Sequence, residues 1–203
     1  MSSSTHPTKK LLVETAVSLI DEFGPQGFTV DVLLDTSKIS KGSLYHHFEN
    51  FDDVIEQAQV ARFARSVDLD IQQLIALLMS VTSRDELFQH LSVIVASSSS
   101  DARRAGRMNR AQIIGLASRS EKYAAALADE QQRLTDAFTD LIREMQERGW
   151  VKPEIDPGAG GLFLQAYSLG FVLNDISREP VSGEAWQQFV LAMIRASFMT
   201  TEN

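Results

Sequence analysis

Residues 29–48 read TVDVLLDTSKISKGSLYHHF. Thr29 stands where a helix N-cap belongs and opens a short helix through Val30, Leu33 and Leu34. After a tight turn Ser40 can cap another short helix, ending near His47. Leu44 and Phe48 are four residues apart, so they share the helix face that would anchor against Leu33, Leu34 and the preceding helix. Lys41, Gly42, Tyr45 and His46 then point away from that anchor. Two short helices joined by a tight turn, the second polar on its outer face, fit a DNA major groove. Gly42 permits close backbone approach to another surface, and Lys41 offers phosphate a cation beside the free amides of a helix start.

Upstream, Leu12, Ala16, Leu19, Ile20 and Phe23 form one helical stripe, and Gly24-Pro25 stops it. Residues 1–8 are polar and read as a flexible arm, with residues 9–52 as a three-helix helix-turn-helix domain. Downstream, 53–203 read as a second, helical domain. Its expected helices lie at about 50–66, 69–80, 84–97, 101–119, 121–148, 158–177 and 183–199. The strongest pattern is Leu127, Leu134, Phe138, Leu141 and Met145, a continuous apolar stripe that Gly149 ends. Alternating strand patterns are lacking, so the expected class is all-α.

The 203 residues are 44% hydrophobic and 23% charged, enough apolar material for a core without metal or disulfide. The sequence has no cysteine, which excludes thiolate zinc sites, disulfide scaffolds and cysteine nucleophiles. Its longest apolar runs fall short of the roughly 20 residues of a membrane helix, and the start does not resemble a signal peptide. A cytoplasmic protein without membrane association is expected. The net charge of −8 argues against a general nucleic-acid coating protein but permits a local reading head. Even within residues 1–50, Lys9, Lys10, Lys38 and Lys41 are outnumbered by Glu14, Asp21, Glu22, Asp31, Asp35 and Glu49.

The run Ser40-Lys41-Gly42-Ser43-Leu44-Tyr45-His46-His47-Phe48 closely resembles the recognition-helix signature of the TetR family of transcriptional regulators. Phe23-Gly24 and Thr29-Val30 match the same pattern, and the motif-level likeness covers roughly residues 9–55. The resemblance implies that Thr29 caps the second helix and touches a phosphate. It places Lys41, Gly42 and Ser43 at backbone or base edges, Tyr45 and His47 on phosphates, and His46 in the groove. It also implies a homodimer on double-stranded operator DNA, released by a small-molecule effector, with repression the usual output.

Three departures matter. Lys38 occupies a turn position where glycine is usual, so a left-handed backbone there would carry a cost. Asp31 replaces a basic or neutral groove-facing residue. Glu49 and Phe51 replace phosphate-contacting lysines, which implies weaker DNA binding and a shallower salt dependence. Phe51 could instead pack on the sugar-phosphate backbone.

In the body, an effector pocket is expected between the helices of 101–119, 121–148 and 158–177. Its candidate residues are His90, Met108, Asn109, Gln112, Tyr123 and Tyr167. Phe163, Tyr167, Phe171, Trp186, Phe189 and Met193 lie on helical faces that the resemblance assigns to a four-helix dimer interface, with packing inside one subunit as the alternative. Arg103, Arg104, Arg107 and Arg110 recur on one side of a helix and read as a solvated face, or as a site for an anionic ligand or an ion pair.

No catalytic residue, metal or cofactor is expected. Adjacent His46 and His47 point about 100° apart on a helix and are badly placed to share one ion. An enzyme would need a nucleophile with its base, paired carboxylates or a phosphate loop. The remaining alternative is a helical small-molecule-binding or interaction protein whose helix-turn-helix no longer binds DNA.

Overall fold

The computed structural model describes residues 6–200. Among them ten α-helices follow in order: α1 (Pro7–Phe23), α2 (Val30–Ser37), α3 (Lys41–His47), α4 (Phe51–Ser80), α5 (Arg84–Ser98), α6 (Arg104–Gly115), α7 (Glu121–Glu147), α8 (Pro157–Gly170), α9 (Val172–Asp175) and α10 (Gly183–Ser197). The only extended pairing among the described residues is an isolated antiparallel bridge between Val151 and Met199. The all-α class therefore holds.

Local chemistry sets most helix ends. The hydroxyls of Thr29, Ser40, Ser83 and Ser182, and the carboxylate of Asp156, each accept a backbone N–H in the first turn of the helix they precede. Such caps satisfy amides that the helix itself leaves free. Gly24 and Gly149 follow α1 and α7 with φ of 79° and 75°, a backbone that glycine adopts without strain.

Four expectations are corrected. Residues 7–8, read as part of the arm, are helical: α1 already begins at Pro7, because proline is preset for a first helical position and the His6 Nδ1 accepts the Thr8 N–H at 3.3 Å. Residues 1–5 of that arm lie outside the described residues. The helices expected at 50–66 and 69–80 are one element, α4, because residues 67–68 contain no breaker. The helix expected at 158–177 is interrupted at Phe171 and resumes as α9. Phe23, placed on the buried stripe of α1, is 51% exposed at the helix end.

The chain divides into two compact units. The first runs through Ser66 and adds Ala117–Leu127, the start of α7; the second comprises Val67–Leu116 and the rest from Ala128. In the first, Leu12, Ala16, Val17 and Ile20 of α1 meet Leu33, Leu44, Phe48, Val54 and Ala58 in one core. Leu33 and Leu44 are fully enclosed. Each contributes roughly 1.5–3 kcal/mol by burial, which fixes two very short helices that would not persist alone.

The second unit has its own core. Leu74, Leu77 and Val81 of α4 and its exit pack with Leu87 and Val95 of α5, Leu141, Ile142 and Met145 of α7, and Val190 and Ile194 of α10. Segment 152–157, whose two prolines suggest a linker, is held in place: the Lys152 N–H donates to the Phe198 carbonyl at 2.8 Å. At Gly161, α8 lies so close to α7 that a Cβ would meet Phe138 Cβ at 3.0 Å and Phe138 and Thr139 backbone at 3.2 Å.

Candidate nucleic-acid interface

The head is built around the burial of one face of α3. Leu44 is fully buried and Phe48 nearly so, whereas Lys41, Gly42, Tyr45 and His46 are exposed and Ser43 and His47 are half-buried. Thr29 is exposed at the start of α2 and its hydroxyl accepts the Val32 N–H at 3.4 Å. Ser40 accepts the Ser43 N–H at 3.3 Å, so α3 begins one residue before Gly42. All seven DNA-contact candidates, Thr29, Lys41, Gly42, Ser43, Tyr45, His46 and His47, thus belong to the α2–α3 pair of a single unit.

The turn between these helices passes through Lys38 at φ 58° and ψ 25°, a left-handed conformation on a residue with a Cβ. The Ser37 hydroxyl accepts the Ile39 N–H at 3.4 Å and helps hold the bend. Asp31 is exposed in the first turn of α2, where its charge complements the helix dipole.

Two acidic or aromatic replacements after α3 receive an internal explanation. Phe51 does not reach outward: it packs edge-on against Phe28 at 5.7 Å, within the head core. Glu49 and Asp53 share a partner from the start of α7, the Lys122 ammonium, at 3.5 Å and 3.0 Å. Asp53 also accepts the Glu49 N–H at 3.1 Å and the Gln57 side-chain N–H at 2.8 Å. Its carboxyl lies below the ordinary range, because hydrogen bonds from Gln57, Glu49 and Lys122 outweigh the opposing desolvation. Lys122, drawn by both carboxylates, is raised correspondingly. Lys122 was invisible to a reading of the motif, since it arrives from about 70 residues away.

His6 was also missed. Its ring lies 4.6 Å from that of His47, and His46 lies 5.0 Å from His47. Lys9 sits over the Phe48 ring at 5.6 Å. Three of the chain's four histidines therefore gather at one end of α3.

The effector candidates do not converge. His90 is exposed on α5, its Nδ1 2.9 Å from the Glu86 carbonyl. Met108 and Gln112 are exposed on α6, and Asn109 is half-buried beside them. Tyr123 is buried in the first unit, where desolvation and Glu56 push its hydroxyl up to about 12. Tyr167 belongs to the second unit and packs on its core; burial raises it to about 12 against an opposing Ser98 hydrogen bond. Two shallow concavities of about 300 Å3 each lie in the second unit, and none of these six residues lines either.

The arginine row is only partly a solvated face: Arg103 and Arg104 are exposed, Arg107 is buried and Arg110 half-buried. Arg107 and Asp175 form a doubly hydrogen-bonded pair, 2.9 Å and 2.7 Å, with both side chains 6% exposed. Arg107 also donates to the Ser98 and Ser100 carbonyls and lies 5.0 Å over Phe171. Arg104 donates to the Asp175 carbonyl, and Arg110 pairs with Asp70 at 2.6 Å. These contacts tie α6 to α9, to the end of α5 and to α4 within the second unit.

The dimer candidates separate into two groups. Phe171 is 5% exposed beneath Arg107 and against Trp186 at 5.6 Å, so its own chain encloses it. Trp186 and Tyr167 are half-buried on that side. Phe189 is 61%, Met193 41% and Phe163 37% exposed, and Phe163 and Met193 line one concavity with Ile155 and Phe198.

No helix among the described residues is long and apolar enough to cross a membrane. Residues 12–61 match the family of bacterial regulatory proteins, tetR family. The HTH-type transcriptional regulator UidR of Escherichia coli strain K12 is 23% identical over 204 residues, covering 96% of this chain and 94% of that protein. A putative TetR-family regulator from Mesorhizobium loti superposes with a TM-score of 0.70 at 13% identity, covering 98% of this chain and all of the other. A putative transcriptional regulator from Saccharomonospora viridis, crystallised with choline, gives 0.66 at 18% identity over 95% of this chain and 98% of that one. Taken with the buried anchor and displayed face of α3, these matches identify residues 12–61 as a tetR-family DNA-binding domain and support a TetR-family transcriptional regulator, with a helical carboxy-terminal domain behind it.

Proposed function

We propose that this chain acts in the cytoplasm as a homodimeric repressor, held on double-stranded operator DNA and released by a small-molecule effector. The observation that carries the reading is the division of α3 into a buried Leu44–Phe48 face and an exposed face bearing Lys41, Gly42, Tyr45 and His46. Lys41 and Ser43 meet backbone or base edges, Tyr45 and His47 hold phosphates, and His46 enters the groove. Thr29 adds a phosphate contact from the start of α2.

One such short helix contributes little affinity; two heads about one DNA turn apart multiply it. The exposed Phe163, Phe189 and Met193 supply an apolar surface for the second copy. The effector binds in the helical body and favours a different spacing of the two heads. A route is available through α7, whose start is tied by Lys122 to Glu49 and Asp53 just beyond the recognition helix. The effector's chemistry does not follow from the fold: the choline bound by the Saccharomonospora viridis protein is a property of that protein.

The test is anisotropy-detected binding to DNA from upstream of the protein's own gene, over a salt series, for wild type and Tyr45→Ala/His46→Ala. Specific binding that the double variant loses by tenfold or more, about 1.4 kcal/mol, supports the reading. Binding that is absent at low salt on every genomic fragment tried, or unchanged in the variant, overturns it.

A further inference from the structure

We propose that His6 and His47 together form a proton-dependent site for one phosphodiester of the operator backbone, so that DNA affinity rises as pH falls. The inference rests on the DNA-binding reading above and adds to it a residue outside the helix-turn-helix and a dependence on protons.

Two imidazole rings 4.6 Å apart, one from the foot of α1 and one from the end of α3, stand side by side next to the reading face. The Nδ1 of His6 is engaged as acceptor of the Thr8 N–H at 3.3 Å, which puts the neutral ring's proton on Nε2 as a donor. His47 is the group that takes up a proton. Around it stand His6 and Lys9 from the α1 side and His46 on its own helix. Desolvation first, then those neighbours, holds His47 below the ordinary imidazole range in the free protein. The charged and titratable groups that act on His47 among the described residues are His6, His46 and Lys9, all of them bases.

An arrangement of this kind lacks an anion. A phosphate oxygen placed against the ring pair would accept from the His6 Nε2–H and supply the charge that lets His47 ionise. The charge balance of the head makes this consequential. Residues 1–50 carry four lysines against six carboxylates, a net −2 that becomes −1 when His47 takes up its proton. Because DNA raises the proton affinity of His47, binding takes up a proton. Affinity then climbs as pH falls through the bound-state value, by up to about tenfold per pH unit for each proton, and levels off below the free-state value.

The experiment measures Kd for operator DNA by anisotropy between about pH 8 and about pH 5.5 at fixed ionic strength, a window centred on imidazole titration. Wild type, His6→Asn, His46→Gln and His47→Gln are compared; asparagine keeps an N-cap acceptor at position 6. Alongside, the ring resonances of His47 are titrated by NMR with and without DNA. The expected result is a Kd that falls on acidification in wild type and His46→Gln, is flat in His47→Gln, and is several-fold weaker in His6→Asn at every pH. The His47 midpoint moves upward on adding DNA. A midpoint that DNA leaves unchanged, an undiminished slope in His47→Gln, or wild-type affinity in His6→Asn overturns the site while leaving DNA binding intact. Failure of wild type to bind any operator fragment overturns the DNA-binding reading and this inference together.

Discussion

Replacing Arg107 by alanine should be among the most damaging single changes in the helical body. Its guanidinium makes two bonds to the Asp175 carboxylate and one each to the Ser98 and Ser100 carbonyls, with both charged side chains 6% exposed. Removing it strands a buried carboxylate and two carbonyls, and breaking a buried pair from one side costs about 3–5 kcal/mol. For a protein of this size that corresponds to a fall in Tm of roughly 6–20 °C. The assay is thermal unfolding followed by circular dichroism, with Arg107→Met/Asp175→Leu as companion. That double variant removes both charges and should recover much of the loss. Acid adds a second check. Arg107 holds the Asp175 carboxyl below its ordinary range, so its contribution is present above the unfolded carboxylate range, about pH 4, and is lost as pH falls through the lower folded value. Asp175→Asn should therefore flatten the acid limb of the stability curve. A fall in Tm of under about 3 °C for Arg107→Ala, too small for a 3–5 kcal/mol loss, would refute the reasoning. So would a double variant no better than the single.

Lys38→Gly should stabilise the head by about 0.5–1 kcal/mol, since relief of the left-handed Cβ strain exceeds the added chain entropy; denaturant unfolding checks it. Leu44→Ala should cost about 2–5 kcal/mol of head stability and abolish DNA binding through loss of the α3 anchor, read by the same unfolding assay with anisotropy. Phe189→Glu places a charge on an exposed apolar position, so it should shift sedimentation toward monomer while leaving the monomer's unfolding free energy within about 0.5 kcal/mol of wild type.

The head was legible in the sequence because its information is local. Thr29 and Ser40 cap the helices that follow them, and the four-residue spacing of Leu44 and Phe48 sets which face is buried. What escaped was long-range. Glu49 looked like a lost cation until Lys122 came within 3.5 Å of it, and Phe51 looked outward until Phe28 covered its edge. In the body, the arginine row at 103–110 carries the same periodicity whether it faces water or Asp175, and helical spacing alone cannot separate the two. Phe171 and Phe189 look equivalent on a helical wheel; only the packing of Trp186 and Arg107 encloses one of them.

The contact at Gly161 bears on where a guest molecule can lodge. Neither helix at that crossing presents a side chain that could swing aside, because the opposing atoms include the backbone of Phe138 and Thr139. A wedge driven between α7 and α8 there would have to separate the helices bodily. At the neighbouring Gly160 an added Cβ would meet the Phe198 and Ile155 side chains at 3.1 Å and 3.2 Å. Random mutagenesis aimed at changing what the protein responds to would therefore recover few substitutions at Gly161, where even a methyl group presses on backbone, and would gain its variants from side chains elsewhere in the bundle.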